Sequence, residues 1–300
     1  MRIVYERAAV RVPATTANMG PGFDSFGMAF RYYDEVSVRP ITGTTRVIVE
    51  GVGAETVPTD DNNLVVQALR AGLDAVGAPQ AGFEMRCVNR IPHGGGMGSS
   101  ASAAVAGLML ARGLIAEPEA LSDDRIFALA TDFEGHPDNV APAVFGGATV
   151  AWVERGGHPR MAPMPVDASL GVSLLIPPAT TRLSTKEARQ FLPVSVPRED
   201  ALFNTSRAAV LMLALAGRPD LLMAGTEDRL HQEYRRGVLP ASMAVMDYLR
   251  EQGYPAVISG AGPTVLVLST LADQTRFALE NHGWSVLSPG IDTRGAVLTS

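Results

Sequence analysis

A single cysteine, Cys87, is the only thiol in this 300-residue chain. No intrachain disulfide can brace it, as expected of a protein from a reducing compartment. Basic stripes are missing too. Lys and Arg number 25 against 31 Asp and Glu, the net charge is −6 and the pI lies near 5.4, which argues against a nucleic-acid partner. No apolar run approaches the ~18 residues of a membrane span. Met1-Arg2-Ile3-Val4-Tyr5-Glu6 has no signal-peptide core. The expectation is a soluble cytoplasmic protein with no membrane partner. Internal repeats and low-complexity tracts are also absent. What is present is 46% apolar residues, ample for real cores, over a length of about two domains at roughly 150 residues each.

The densest signal is Pro92-His93-Gly94-Gly95-Gly96-Met97-Gly98-Ser99-Ser100-Ala101-Ser102, just before the small apolar run Ala103 to Leu110. Glycine permits positive φ and close backbone approach. The run reads as a helix whose first-turn amides and positive dipole end face the loop, which suits a phosphate. A plain Gly-rich turn is the alternative. The loop has no Lys, so it is not a Walker loop, and its glycines do not fit the dinucleotide spacing. Any phosphate here is held by backbone amides and serine hydroxyls.

The apolar pattern predicts strands at 9–12 (ending at Pro13), 35–38, 46–49 and 83–88. In the last, alternation makes Cys87 a buried structural thiol rather than a nucleophile. Helices are predicted over 64–76, capped by Asp60-Asp61-Asn62 and stopped by Gly77 and Pro79, and after Ser122-Asp123-Asp124. Met161 to Pro165 reads as a linker. Beyond it come strand 172–176, helices 200–215 and 243–251, strand 256–259, a tight Gly260-Ala261-Gly262-Pro263 turn, strand 264–268, helix 273–281 and a terminal strand. That order is close to a split βαβ, ferredoxin-like arrangement with inserted helices.

Four polar clusters accompany the loop: Pro13 to Asp24 (PATTANMGPGFD), Glu134 to Ala143 (EGHPDNVAPA), Ser184 to Arg189 (STKEAR) and Ser259 to Thr264 (SGAGPT). Together they resemble the GHMP family of small-molecule kinases, and within it the homoserine kinase branch most closely. The family's Pro-x-x-x-Gly-x-Gly-Ser-Ser-Ala core is met by Pro92, Gly96, Gly98, Ser99, Ser100 and Ala101. The resemblance runs from about residue 8 to the chain end. It implies an α+β, two-domain GHMP kinase fold: residues 1–163 as a ribosomal-protein-like, ATP-binding N-terminal domain and 164–300 as a ferredoxin-like C-terminal domain. A homodimer is common in the family.

The resemblance also implies an activity and a site: ATP-dependent phosphorylation of the L-homoserine hydroxyl, in threonine formation. Pro92 to Ser102 (Pro92, His93, Gly94, Gly95, Gly96, Met97, Gly98, Ser99, Ser100, Ala101 and Ser102) would hold ATP, with Asn62 near the adenine. Ser100 and Glu134 would hold Mg²⁺. Asn18 and Asp24 would contact the amino acid, with the Asp24 carboxylate on its ammonium. Arg235, or its neighbour Arg236, would take the carboxylate in a bidentate fork. His136, Asp138, Asn139, Thr185 and Arg189 would surround the reacting hydroxyl. Asn139 and Arg189 would polarise it, and the γ-phosphate itself would accept its proton, rather than Asp138 acting as base as its counterpart does in mevalonate kinases. Taken singly, His136 reads as a capping or packing residue, Arg189 as half of a structural ion pair and Asp24 as a helix cap. The loop departs from the family at Gly95, near which a larger polar or basic residue is usual. Competing readings are a GHMP kinase for another alcohol, such as threonine or a mevalonate-like acid, and a non-catalytic anion- or RNA-binding protein. Glu134, Asp138, Arg189 and the acidic balance argue against the last.

Overall fold

The computed structural model describes residues 1–178 and 185–299, the side chains of residues 185 and 186 excepted. In chain order the first half runs β1 (Ala8–Asn18), β2 (Gly22–Ile41), β3 (Arg46–Gly51), α1 (Leu64–Ala75), β4 (Gly82–Asn89), α2 (Ser99–Leu114), α3 (Asp123–Glu134), α4 (Val140–Phe145), β5 (Ala148–Val153) and β6 (Pro159–Met164). The second half runs β7 (Ser173–Ile176), α5 (Thr185–Arg189), α6 (Arg198–Leu215), α7 (Leu222–Gly225), α8 (Pro240–Glu251), β8 (Ala256–Ile258), β9 (Val265–Val267), α9 (Asp273–Asn281), β10 (Ser285–Leu287) and β11 (Val297–Thr299). Among the described residues no helix is long and apolar enough to cross a membrane.

A seven-stranded mixed sheet has the order β11-β1-β2-β4-β3, with β5 on β2 and β6 on β5. A four-stranded antiparallel sheet has the order β10-β7-β9-β8. With α8 between β7 and β8, and α9 between β9 and β10, this is the ferredoxin-like arrangement. Helices α5, α6 and α7 are the insertions.

Three apolar cores result. One lies between the larger sheet and helices α1 to α4, and a second between the smaller sheet and α8 and α9. The third joins the two halves, packing Met28, Phe30 and Met97 against Leu174, Leu211 and Val257. The β1–β2 ladder explains how one strand pair feeds two cores. Its register shifts between Pro13 and Ala14, leaving two extra residues on β2. Val10, Val12, Val36 and Val38 face the helical core on one side of the irregularity. Ala14, Met28 and Phe30 face the joining core on the other. Such irregularities twist a strand and re-aim its side chains. This one carries the end of β1 toward the Gly-rich loop.

Several expectations are corrected. Pro13 does not end its strand. β11 pairs only with Ala9, Val10 and Arg11, so the missing N–H of Pro13 lies beyond that ladder. The segment read as a linker, Met161 to Pro165, is largely strand β6, an edge strand paired only with β5 and able to carry Pro159 and Pro163 for that reason. Asp24 lies within β2 and caps no helix. Asn63, rather than Asn62, caps α1, its Oδ1 accepting from Val65 N at 3.0 Å.

Leu108, fully buried on α2, is at the centre of the helical core. Leu108→Ala is expected to cost about 2–5 kcal/mol in chemical unfolding. Ile48→Ala, on the exposed sheet face, should stay within about 0.5 kcal/mol. Equal costs at the two positions would contradict this assignment of faces.

Candidate active site

The Gly-rich loop ends in Gly98, whose φ of +68° turns the chain into α2. Among the described residues no side chain caps that helix, which leaves its first-turn amides open to a ligand. A Cβ at Gly98 would stand 1.9 Å from Thr15 Oγ1. At Gly96 (φ +75°) it would stand 2.3 Å from the Ser259 carbonyl oxygen. Backbone contacts explain these close approaches. Thr15 N donates to Met97 O (3.1 Å), Gly260 N to Ala17 O (3.1 Å) and Thr264 N to Gly95 O (3.2 Å). The Ser259 hydroxyl is 2.6 Å from Gly96 O and 2.8 Å from Thr16 Oγ1. The end of β1, the loop and the 259–264 turn are thereby stitched together.

Two cavities flank α2. One, of about 490 Å³, is lined by Pro92, Gly94, Gly95, Gly96, Gly98, Ser99, Ser100, Glu134, His136, Asn139, Arg189 and the 260–262 turn. The other, of about 240 Å³, is mostly apolar and lies between α1, α2 and the sheet. Val36, Val57, Asn63, Leu64, Val65 and Cys87 line it, with His93 and Ser102. Asn62 is exposed, held by Asp60, and is not among the residues that line this cavity. The Cys87 thiol is pushed up to about 12 by burial and the nearby Asp34 carboxylate, which makes it a wall and no nucleophile. Within the loop, Met97 and Ala101 point into the cores, and the Ser102 hydroxyl donates to Pro13 O at 2.8 Å. Gly95 is buried, and a Cβ there would meet Pro92 Cβ at 2.9 Å. A larger residue at this position therefore needs the loop to shift.

In the larger cavity Ser100 Oγ donates to Glu134 Oε1 at 2.5 Å. Burial raises the Glu134 pKa, against the hydrogen bond from Ser100. Thr15 Oγ1 donates to Asn139 Oδ1 at 2.8 Å, which leaves the Asn139 NH2 as the group the cavity can use. Asp138 is buried. Its Oδ1 accepts from Asn139 N (3.0 Å) and lies 2.6 Å from His136 Nδ1.

A second group of charges surrounds Phe23. Asp24 accepts two hydrogen bonds from Arg189, at 3.0 and 2.6 Å. The Arg189 guanidinium lies 5.7 Å from the Phe23 ring centroid, and that of Arg235 5.8 Å. Arg235 is almost fully buried, with an Nε that has no partner among the described residues. Burial and the neighbouring Arg189 lower its pKa to about 10. Arg236 points away, paired with Glu233 and Asp247. The Asn18 amide bridges Gly260 O (2.8 Å) and Asp24 N (2.9 Å). Asn18, Met19 and Asp24 all have positive φ. Left-handed non-glycine residues are uncommon and gather at functional sites. Thr185 opens α5, but its side chain, like all of Ser184, lies outside the described residues.

A ferredoxin-like half, a glycine loop opening an uncapped helix and oxygen donors beside it define the GHMP kinase class of phosphotransferases. Family models described as "GHMP kinases N terminal domain" and "GHMP kinases C terminal" match residues 63–147 and 211–283. Homoserine kinase of Clavibacter michiganensis is 47% identical, covering 97% of this chain and 94% of that protein. The crystal structure of homoserine kinase from Cytophaga hutchinsonii superimposes with a TM-score of 0.84, at 24% identity, over 99% of this chain and 98% of that one. A putative homoserine kinase from Listeria monocytogenes does so with a TM-score of 0.73, at 29% identity, over 98% and 99%. The chain belongs to the homoserine kinase family of GHMP kinases.

Burial opposes protonation of His136, but the hydrogen bond and charge of Asp138, with the charge of Glu134, outweigh it and raise the imidazole pKa. The stabilisation from this pair is therefore complete below the ordinary imidazole value of ~6.5 and is lost as pH rises through the raised one. In Asp138→Asn the His136 titration followed by NMR should move to lower pH. No movement would mean that Asp138 does not govern that proton.

Proposed function

We propose that this protein transfers the γ-phosphoryl group of ATP to the side-chain hydroxyl of L-homoserine, forming O-phospho-L-homoserine on the way to threonine. One observation carries the substrate: a carboxylate, Asp24, and two guanidinia, Arg189 and Arg235, gathered around Phe23. An amino acid needs an anion for its ammonium and cations for its carboxylate, whereas a mevalonate-like acid has no ammonium to pair. Arg189 and Asp24 satisfy each other without substrate. A zwitterion entering between them exchanges one ion pair for two. The buried, unpartnered Arg235 Nε supports a carboxylate ligand as well.

In this reading residues 1–163 hold the nucleotide and the ammonium contact, and 164–300 supply both arginines, in a cytoplasmic enzyme. The base lies in the apolar cavity against Asn63, and the phosphates lie over the open amides of α2. Ser100 and Glu134 would hold Mg²⁺, which prefers hard oxygen ligands. The adjacent Ser100 hydroxyl and Glu134 carboxylate are hard oxygen donors of the kind it takes, and phosphates and water would supply the rest. The ion supplies neutralisation of phosphate charge.

Phosphoryl transfer asks mainly for positioning and electrostatic stabilisation. Asn139, oriented by Thr15, donates its NH2 toward the acceptor oxygen, and Arg189 polarises the hydroxyl. Asp138 is buried against His136 and the Asn139 amide, which supports an orienting role. The γ-phosphate then takes the hydroxyl proton.

ADP release with L-homoserine, threonine and mevalonate, each with Mg²⁺ and ATP, tests the reading. Turnover is expected with homoserine foremost, and no ADP above background with any of the three would end it. Asp138→Asn should lower turnover by less than about tenfold, since a general base contributes ~10²-fold or more. A fall of a hundredfold would contradict this expectation and would fit either a base or an orienting role for Asp138.

A further inference from the structure

Behind Arg235 lies a buried polar chain with no part in the chemistry above. Asp228 accepts from Leu230 N (3.0 Å), His231 N (3.0 Å), Gln232 N (2.8 Å) and Asn204 Nδ2 (2.8 Å), fixing the turn that carries His231. His231 is fully buried, its ring stacked on Phe23 with centroids 5.0 Å apart. Its Nε2 lies 2.8 Å from the Gly20 carbonyl oxygen and its Nδ1 2.9 Å from Arg235 Nη1. A carbonyl only accepts and a guanidinium only donates, so Nε2 carries the hydrogen and Nδ1 offers its lone pair. The ring is neutral, as burial dictates against the pull of Asp228.

Arg235 is thus held at one corner, since Nη1 also approaches Gly260 O at 3.3 Å. Its Nε has no partner among the described residues. We propose that His231 is a positioning residue: its Nδ1 lone pair tethers Arg235 Nη1 and turns the opposite edge of the guanidinium, Nε and Nη2, to the carboxylate of the amino-acid substrate. The proposal rests on reading Arg235 as the carboxylate ligand. It assigns to His231 a share in selecting α-amino acids over alcohols that lack the carboxylate.

Two substitutions separate this role from simple support of the Gly20 loop. His231→Asn places a carbonyl oxygen where Nδ1 stood. His231→Gln places an amide donor where Nε2 stood. With His231→Asn the KM for homoserine should stay within about threefold. With His231→Gln it should rise roughly tenfold or more, as for a lost hydrogen bond to a charged group. The kcat and the KM for MgATP should be unchanged in both. Activity on 3-aminopropan-1-ol, which lacks the carboxylate, should be equal in the two variants. The reverse order, or equal losses of homoserine affinity, overturns the proposal. Should either variant fold poorly, nitrogen NMR of the unaltered protein decides. The expected result is an unprotonated Nδ1 whose shift moves when homoserine is added, and a proton on Nδ1 overturns the tether. Inactivity of the unaltered protein toward homoserine would instead overturn the substrate reading, and leaves the tautomer measurement valid.

Discussion

The site depends on the close approach of three backbone segments. The glycine loop touches the end of β1 through Met97 O and the 259–264 turn through Gly95 O and Gly96 O. A Cβ at Gly96 would reach to 2.3 Å of Ser259 O, so only glycine allows this spacing without a shift. The contact couples the halves of the molecule: the loop opens the phosphate-facing helix, while the 259–264 turn accepts Asn18 and Arg235 at Gly260 O. The groups proposed to hold nucleotide and substrate are therefore referred to one frame. Their mutual distance is set by backbone hydrogen bonds rather than by long side chains, which suits a reaction whose catalysis is mostly positioning.

The charges on that frame are arranged in compensating groups. Asp24 and Arg189 neutralise each other at the half-exposed mouth. Arg235 sits deeper. Burial and Arg189 lower its pKa to about 10, and a guanidinium so placed is still cationic at neutral pH. Among the described residues it has no ion-paired carboxylate of its own, and its hydrogen-bond partners there are the His231 lone pair and the Gly260 carbonyl. A buried cation left so poorly matched is costly. In the proposed reading, the substrate carboxylate offsets that cost, and the affinity for it draws on that gain.

Much of this was legible beforehand. Ser122 caps α3 at its N-terminus, and the split βαβ order is present in the second half. Motif order also gathered the loop, Asn18, Asp24, Glu134, Asp138, Asn139 and Arg189, which the fold brings to one region. What was illegible depends on tertiary partners. A register shift such as that at Pro13 leaves no composition signal, so a strand through a proline reads as its end. The prolines of β6 read as a linker because only the sheet order reveals that they lie on an edge. Arg235 and Arg236 are equivalent in sequence and separated by burial alone. The apolar cavity between α1, α2 and the sheet has no sequence signature because its walls come from β2, β4, α1 and α2, and the alternation of β4 around Cys87 is the one available signal. His231 carried no motif at all.

The last two residues of the His136-Pro137-Asp138-Asn139 stretch show why adjacent polar side chains take different work. Asp138 faces inward, where His136 and the Asn139 amide use its Oδ1. Asn139 faces the cavity, its carbonyl occupied by Thr15 and its NH2 left to donate. A carboxylate in the second position would be drawn to cations and repelled by phosphate. In the proposed reading an amide there donates to a developing oxyanion without adding charge beside the triphosphate. The β1 hydroxyl that orients this amide belongs to the same segment that binds the loop. In the proposed reading, transition-state stabilisation by Asn139 and nucleotide placement by the loop thus share a single structural support.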